Sequence, residues 1–390
     1  MAAFAISLVP AGQRALAADT QEAMRESAQP VVLRVGPERK LKRPSAAAEI
    51  ARDGDVIEID AGLYEGDAAV WRQHRLKIRG VGGLAHLRAN GAHVEGKAIW
   101  VIKGNDTTID SMEFSGAKVS HRNGAGIRLE GAGLAVRHCY FHNNENSILT
   151  GANPASDVVV EHSEFAYNGA GDGQSHNIYI GHVRSFTLRF NYFHHAIVGH
   201  NVKTRARISH ITYNRIMDEK DGRASYAVDF SNGGLAFVIG NVIQKGPDAR
   251  NFTFVSFGAE GLQHPINELY FVNNTVVNER PAGSRFLFVK DGAGPARAVN
   301  NLFSGRGDVL VGPGELRNNL TVARTVFVNP NGFDYRLKGS AEAIARGIDP
   351  GSAHGISLRP TTEYAHKSQK TSRNDSAKLD VGAFEYRRER

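Results

Sequence analysis

A single cysteine, Cys139, stands among 390 residues, so no disulfide forms within the chain and its stability rests on packing and hydrogen bonds. Long apolar runs are missing as well: beyond the first ten residues nothing is apolar enough to cross a bilayer as a helix. The helical period is absent, since apolar residues do not recur at i, i+3, i+4 and i+7, and this excludes the helical repeat architectures. Acidic side chains are outnumbered 40 to 47 by Lys and Arg, which gives a formal net charge of +7 and a sequence pI near 9.4. That balance favours an anionic ligand. Nucleic acid is not the expected one, because the basic run Tyr364 to Lys378 has no aromatic stacking platform and reads as a solvated loop.

What recurs is a phrase: a polar residue, any residue, then a large apolar one. It appears as Cys139-Tyr140-Phe141, Ser163-Glu164-Phe165, Asn191-Tyr192-Phe193, Asn214-Arg215-Ile216, Asn241-Val242-Ile243, Asn274-Thr275-Val276 and Asn301-Leu302-Phe303, with a remnant at Asn319-Leu320. The first step is 24 residues (163 minus 139), and the later ones are 28, 23, 27, 33 and 27. Repeats of this length mark a solenoid whose units cannot bury an apolar face alone. Between the phrases lie short alternating runs such as Phe186-Thr187-Leu188-Arg189-Phe190, separated by Gly, Asn, Asp and Ser. The expected fold is all-β, a right-handed parallel β-helix with a short N-terminal capping helix. The recurrent Asn is expected to bond its own turn and the Asn of the next coil. Cys139, inside the phrase, is expected to be buried.

The chain divides accordingly. Residues 1–18 read as a signal peptide, an apolar stretch closed by the small-residue pattern Ala15-Leu16-Ala17-Ala18, and place the protein outside the cell or in the periplasm. Residues 30–60 form an N-terminal cap with a helix at 44–52, 61–325 the β-helix, and 326–390 a C-terminal capping segment.

Aligning the strand after each phrase stacks Ile127, Ile148, Ile178, Val202, Val228 and Phe254 as a core column. Alternation then turns Arg128, Leu149, Tyr179, Lys203, Asp229 and Val255 outward. Coils lie about 4.8 Å apart, so Tyr179, Lys203 and Asp229 form a polar ladder, with Arg205 two residues on. His176, His195, His200 and Arg223 crowd the same stretch. A salt bridge between Lys203 and Asp229 would explain part of this without any function.

The stretch Gly199-His200-Asn201-Val202-Lys203-Thr204-Arg205, with Tyr213-Asn214-Arg215-Ile216 and Arg223, resembles the catalytic region of β-helical polysaccharide lyases of the chondroitinase B and alginate lyase type. There an Asn-x-x-Lys-Ser coil precedes Asn-x-Phe, and a catalytic Arg follows the Lys by about twenty residues; here that Arg is Arg223, and Thr204 replaces Ser. The chain ends, with Val35-Gly36-Pro37 and Leu379-Asp380-Val381-Gly382, resemble the wider β-helix family and bear on fold alone.

The resemblance implies β-elimination at a uronic acid. Lys203 would take the C5 proton, its basicity tuned by Arg205 and Arg223, and Arg223 or Arg205 would neutralise the carboxylate. Tyr179, His195 or His200 would protonate the glycosidic oxygen, while Arg205, Asn177, Asn201, Asp229 and His176 would bind the sugar. The expected partner is an acidic polysaccharide. A C5-epimerase would use the same residues. A glycoside hydrolase would need more carboxylates than Asp229, Asp172 and Asp218 supply, and a non-catalytic binding solenoid would bind without cleaving. No cofactor is demanded. Calcium is the ion compatible with an acidic glycan, although no pattern locates it, and His194, His195 and His200 do not complete a zinc ligand set.

Overall fold

The computed structural model describes residues 29–373 and 378–388, so the expected signal peptide at 1–18 lies outside the described residues. The chain winds into a right-handed parallel β-helix. One face is a ten-stranded parallel sheet running from Ala69–Trp71 to Gly307–Val311. The other strands form a 21-stranded parallel sheet that bends around two further faces.

The bend between those two faces sits at the recurrent phrase. Asn191 Nδ2 donates to Asn214 Oδ1, Asn214 to Asn241, Asn241 to Asn274 and Asn274 to Asn301, each at 3.0 Å, and Asn301 donates to Asn319 at 2.8 Å. Each amide also closes its own turn, as where Asn214 Nδ2 donates to Thr212 O. The residue before the Asn holds a left-handed backbone, at φ 60° in Phe190 and 56° in Tyr213. Buried amides thus satisfy one another coil after coil where plain backbone would leave donors unmet. Cys139 is 2% exposed at the start of this column, and burial pushes its thiol up to about 12.

Inside, Trp71, Trp100 and Phe114 meet edge-on, and Phe114, Phe141, Phe165 and Phe193 stack ring upon ring, with centroids 4.4 to 5.2 Å apart along the column. Such contacts add to the burial of large aromatic surfaces. The helix Pro44–Ile50 starts at a proline and buries Pro44, Ala47 and Ala48 at the N-terminal end. Parallel pairing already begins at Val32–Val35, which pairs with Val56–Ile59.

The C-terminal residues fold back along the outside of the coil. The run after Tyr364 is not a solvated loop: Thr362–Ala365 pairs antiparallel with Gln369–Ser372, Lys367 bonds Glu164, and Arg373 is buried against Glu385 at 2.7 Å. Its cations found carboxylates across the fold, which local composition does not reveal. No helix among the described residues is long and apolar enough to cross a membrane.

Candidate functional site

On the ten-stranded sheet, Tyr179 pairs in register with Lys203 and Lys203 with Asp229. The next partner is Ser256, because Val255 rather than Phe254 stands beside Val228. The expected core column therefore slips by one at its last member. At the corner entering this sheet two successive residues face inward, so Phe254 and Val255 are both fully buried and strict alternation fails there.

The same corner accounts for Asn177 and Asn201. Both are buried, and Asn177 Nδ2 donates to Asn201 Oδ1 at 2.8 Å while Asn168 Nδ2 donates to Asn177 at 2.9 Å. They build a second interior ladder instead of facing a sugar. It ends at Asp218, fully buried, whose carboxyl burial pushes up to about 6 against the pull of Lys245. Burial draws the Lys245 ammonium down to about 8, against the attraction of Asp218. Asp218 is thus unavailable as a groove carboxylate. Asp172 bonds the Gln174 backbone within its own loop.

The outward group centres on two cations and one carboxylate. Lys203 Nζ donates to Glu260 Oε1 at 2.6 Å, and Arg205 Nη2 bonds the other oxygen, Oε2. Arg205 Nε donates to Tyr179 Oη at 2.8 Å, and its Nη1 bonds Asn232 Oδ1. Lys203 Nζ lies 3.6 Å from Asp229 Oδ2, which also accepts from Ser231 Oγ at 2.6 Å. Burial lifts the Asp229 carboxyl above its usual range, although Ser231 and Lys203 oppose the change. Burial also pushes Glu260 up, but the hydrogen bonds from Lys203 and Arg205 outweigh it and leave that carboxyl below its usual range. Lys203 is 7% exposed, whereas the Glu260 side chain is 44% exposed and lies over it. Lys203 thus pairs with two carboxylates, and of the two cations expected to crowd it Arg205 shares Glu260 with it while Arg223 is absent from the group.

Glu260 was not legible as a site residue. Gly258, at φ 81°, turns the chain so that Glu260 N–H reaches Ser231 O at 2.9 Å, which delivers the carboxylate to residues 55 and 57 positions away. The available signal was register: Gly258 follows the strand beside Ser231, in the column that begins with Arg205. His264 also escaped notice, and its Nε2 lies 3.1 Å from Arg205 O.

His176 and His200 flank the group. Their rings stack at 4.5 Å, His176 Nδ1 accepts from His200 N–H, and His200 Nδ1 accepts from Tyr226 N–H. Burial, with the Lys203 charge, takes His176 down to about 3, and burial lowers His200 strongly as well. Both are neutral rings that act as acceptors for backbone. His200 Nε2 is 3.7 Å from Asp229 Oδ2, and Tyr179 meets His176 edge-on.

Two expected residues are placed elsewhere. His195 contacts His194 at 2.7 Å and stacks on Tyr167, beside the strand Tyr192–His194 of the larger sheet. Arg223 is exposed, and its N–H bonds Ala196 O, next to His195. The reason is coil length. Lys203 stands beside Asp229, 26 residues on (229 minus 203), so a residue 20 on falls six short of the stacked position.

The donor set does not suit calcium here, since Asp229 and Glu260 are already engaged by Lys203 and Arg205, and calcium needs six to eight oxygens.

No family model matches the chain, and no curated protein does. The fold is a right-handed parallel β-helix. Among solved structures, the crystal structure of pectate lyase Pel9A aligns with a TM-score of 0.59 over 93% of this chain and 98% of that one, at 12% sequence identity. That likeness is one of fold.

Proposed function

We propose that the chain is a polysaccharide lyase acting on a uronate-containing polysaccharide at the outer face around Lys203 and Arg205. One observation carries this reading: Lys203 Nζ and Arg205 Nη2 converge on the two oxygens of a single carboxylate. Glu260 reaches in from an exposed side chain, and a uronate carboxylate displacing it would meet the same two cations. Arg205 then neutralises the carboxylate as the C5 carbanion forms. Lys203 lies alongside and, once it has released its own proton to solvent, takes the C5 proton as a neutral amine, with the buried Asp229 behind it. Tyr179 Oη already accepts from Arg205, so its own O–H is free to donate to the glycosidic oxygen. The polysaccharide is reached outside the cell or in the periplasm.

A second reading, a solenoid that binds acidic glycan without cleaving it, is favoured by the ion pairs that Lys203 makes with Asp229 and Glu260, which engage its Nζ on two sides. Incubation with a panel of acidic polysaccharides separates the two by the ultraviolet absorbance of a 4,5-unsaturated uronate. The lyase predicts a rise that Lys203→Ala reduces by about 100-fold or more. Retention without a rise supports the binding solenoid, and solvent-deuterium uptake without cleavage an epimerase.

A further inference from the structure

A different outer face carries a second constellation. His86, Glu113 and His142 lie on Lys77–Arg88, Met112–Ser115 and Tyr140–His142, strands of three successive coils, with His86 in register with Glu113 and Ser115 with His142. His142 Nε2 is 2.9 Å from Glu113 Oε1, and His86 Nδ1 is 3.4 Å from the same oxygen. All three candidate ligand atoms fall within 4.8 Å of one another. Around a tetrahedral ion with bonds of about 2.0–2.1 Å, ligand atoms stand roughly 3.3–3.4 Å apart.

A further contact aims one ring. His86 Nε2 bonds Ser115 Oγ at 2.7 Å, which leaves Nδ1 directed at Glu113. Metal-binding imidazoles are held in this way by a partner on the far nitrogen. Tyr140 stacks on His142 at 4.5 Å and limits its rotation. The three side chains are only partly exposed, 16 to 20%, so they are both held and reachable. Arg88, on the same strand as His86, is the charge that opposes a cation there.

We propose that His86 Nδ1, Glu113 Oε1 and His142 Nε2 form a site for one divalent ion of the zinc class. Two nitrogens among three donors suit zinc, copper or nickel and not calcium, which takes oxygen. Three protein ligands leave a position for water. The ion ties three consecutive coils together, and the site is independent of the Lys203 group.

The test is calorimetric titration of tag-free, chelator-stripped full-length chain with Zn2+, and with Ca2+ in parallel. The expected result is one Zn2+ per chain. Affinity falls by about 100-fold in His86→Ala and in His142→Ala, falls by about 10-fold in Ser115→Ala, and is unchanged in His121→Ala, an exposed control. Zn2+ also raises the melting temperature of the parent but not of His142→Ala. Circular dichroism checks that each variant is folded, and His86→Gln and His142→Gln stand in for any that is not. Stoichiometric binding that survives in both histidine variants overturns the proposal. So does the absence of one-to-one uptake, or Ca2+ bound as tightly as Zn2+.

Discussion

Two asparagine ladders run through the interior, and they differ in how they end. The ladder from Asn191 to Asn319 repeats one residue in one geometry, so each amide finds its partner on the next coil and the column extends without change. The ladder Asn144, Asn168, Asn177, Asn201 lies where the connecting loops vary in length, and it gives way to the buried Asp218 and Lys245. On the strand next to its last amide stands the Lys203 group. The regular coils carry neutral amides, and the coils that depart from regularity hold buried charge, which costs stability unless it is paired.

The two ladders differ most at the charged end, and the largest loss of stability is expected there. Asp218→Ala removes the counter-charge of Lys245 and the acceptor of the Ala224 N–H. A loss of about 3 kcal/mol is expected by denaturant unfolding, partly restored by adding Lys245→Met. At the neutral ladder, Asn241→Ala removes the acceptor of the buried Asn214 backbone N–H, while the Asn214 side chain keeps its bonds to Leu188 O and Thr212 O, and is expected to lose roughly 2 kcal/mol in the same assay.

A smaller effect sharpens the contrast through pH. The Asp218 carboxyl is raised in the folded state from 3.8 to about 6, opposite to the usual carboxylate. Between those values the folded chain keeps a proton that the unfolded chain has lost, so stability falls as pH rises through this window and levels off above it. Asp218→Asn removes that decline in melting temperature against pH, whereas Asn241→Ala keeps it. Persistence of the decline in Asp218→Asn would assign it to another group.

Much of this was written in the chain. The repeated Asn-x-Phe phrase specified the coil and the ladder, because one residue type does one task at one place in every turn. The registered trio Tyr179, Lys203 and Asp229 followed from counting strands. Residues at corners and in loops did not: Asn177 and Asn201 looked outward by alternation but sit where two successive residues turn in, and Arg223 looked close by spacing although coil length puts it six residues short. Glu260 and the triad His86, Glu113, His142 were hidden for a common reason. Their partners lie one or more coils away, at separations of 57, 27 (113 minus 86) and 29 (142 minus 113) residues set by loops of unequal length.

Under the proposed function, Glu260 stands where a substrate carboxylate would sit on Lys203 and Arg205. This placement is tested most directly by calorimetric binding of an oligouronate to the parent chain, to Glu260→Ala and to Arg205→Ala. Several-fold tighter binding is expected in Glu260→Ala, where the internal competitor is gone, and loss of binding in Arg205→Ala. Equal or weaker binding in a folded Glu260→Ala protein would contradict it.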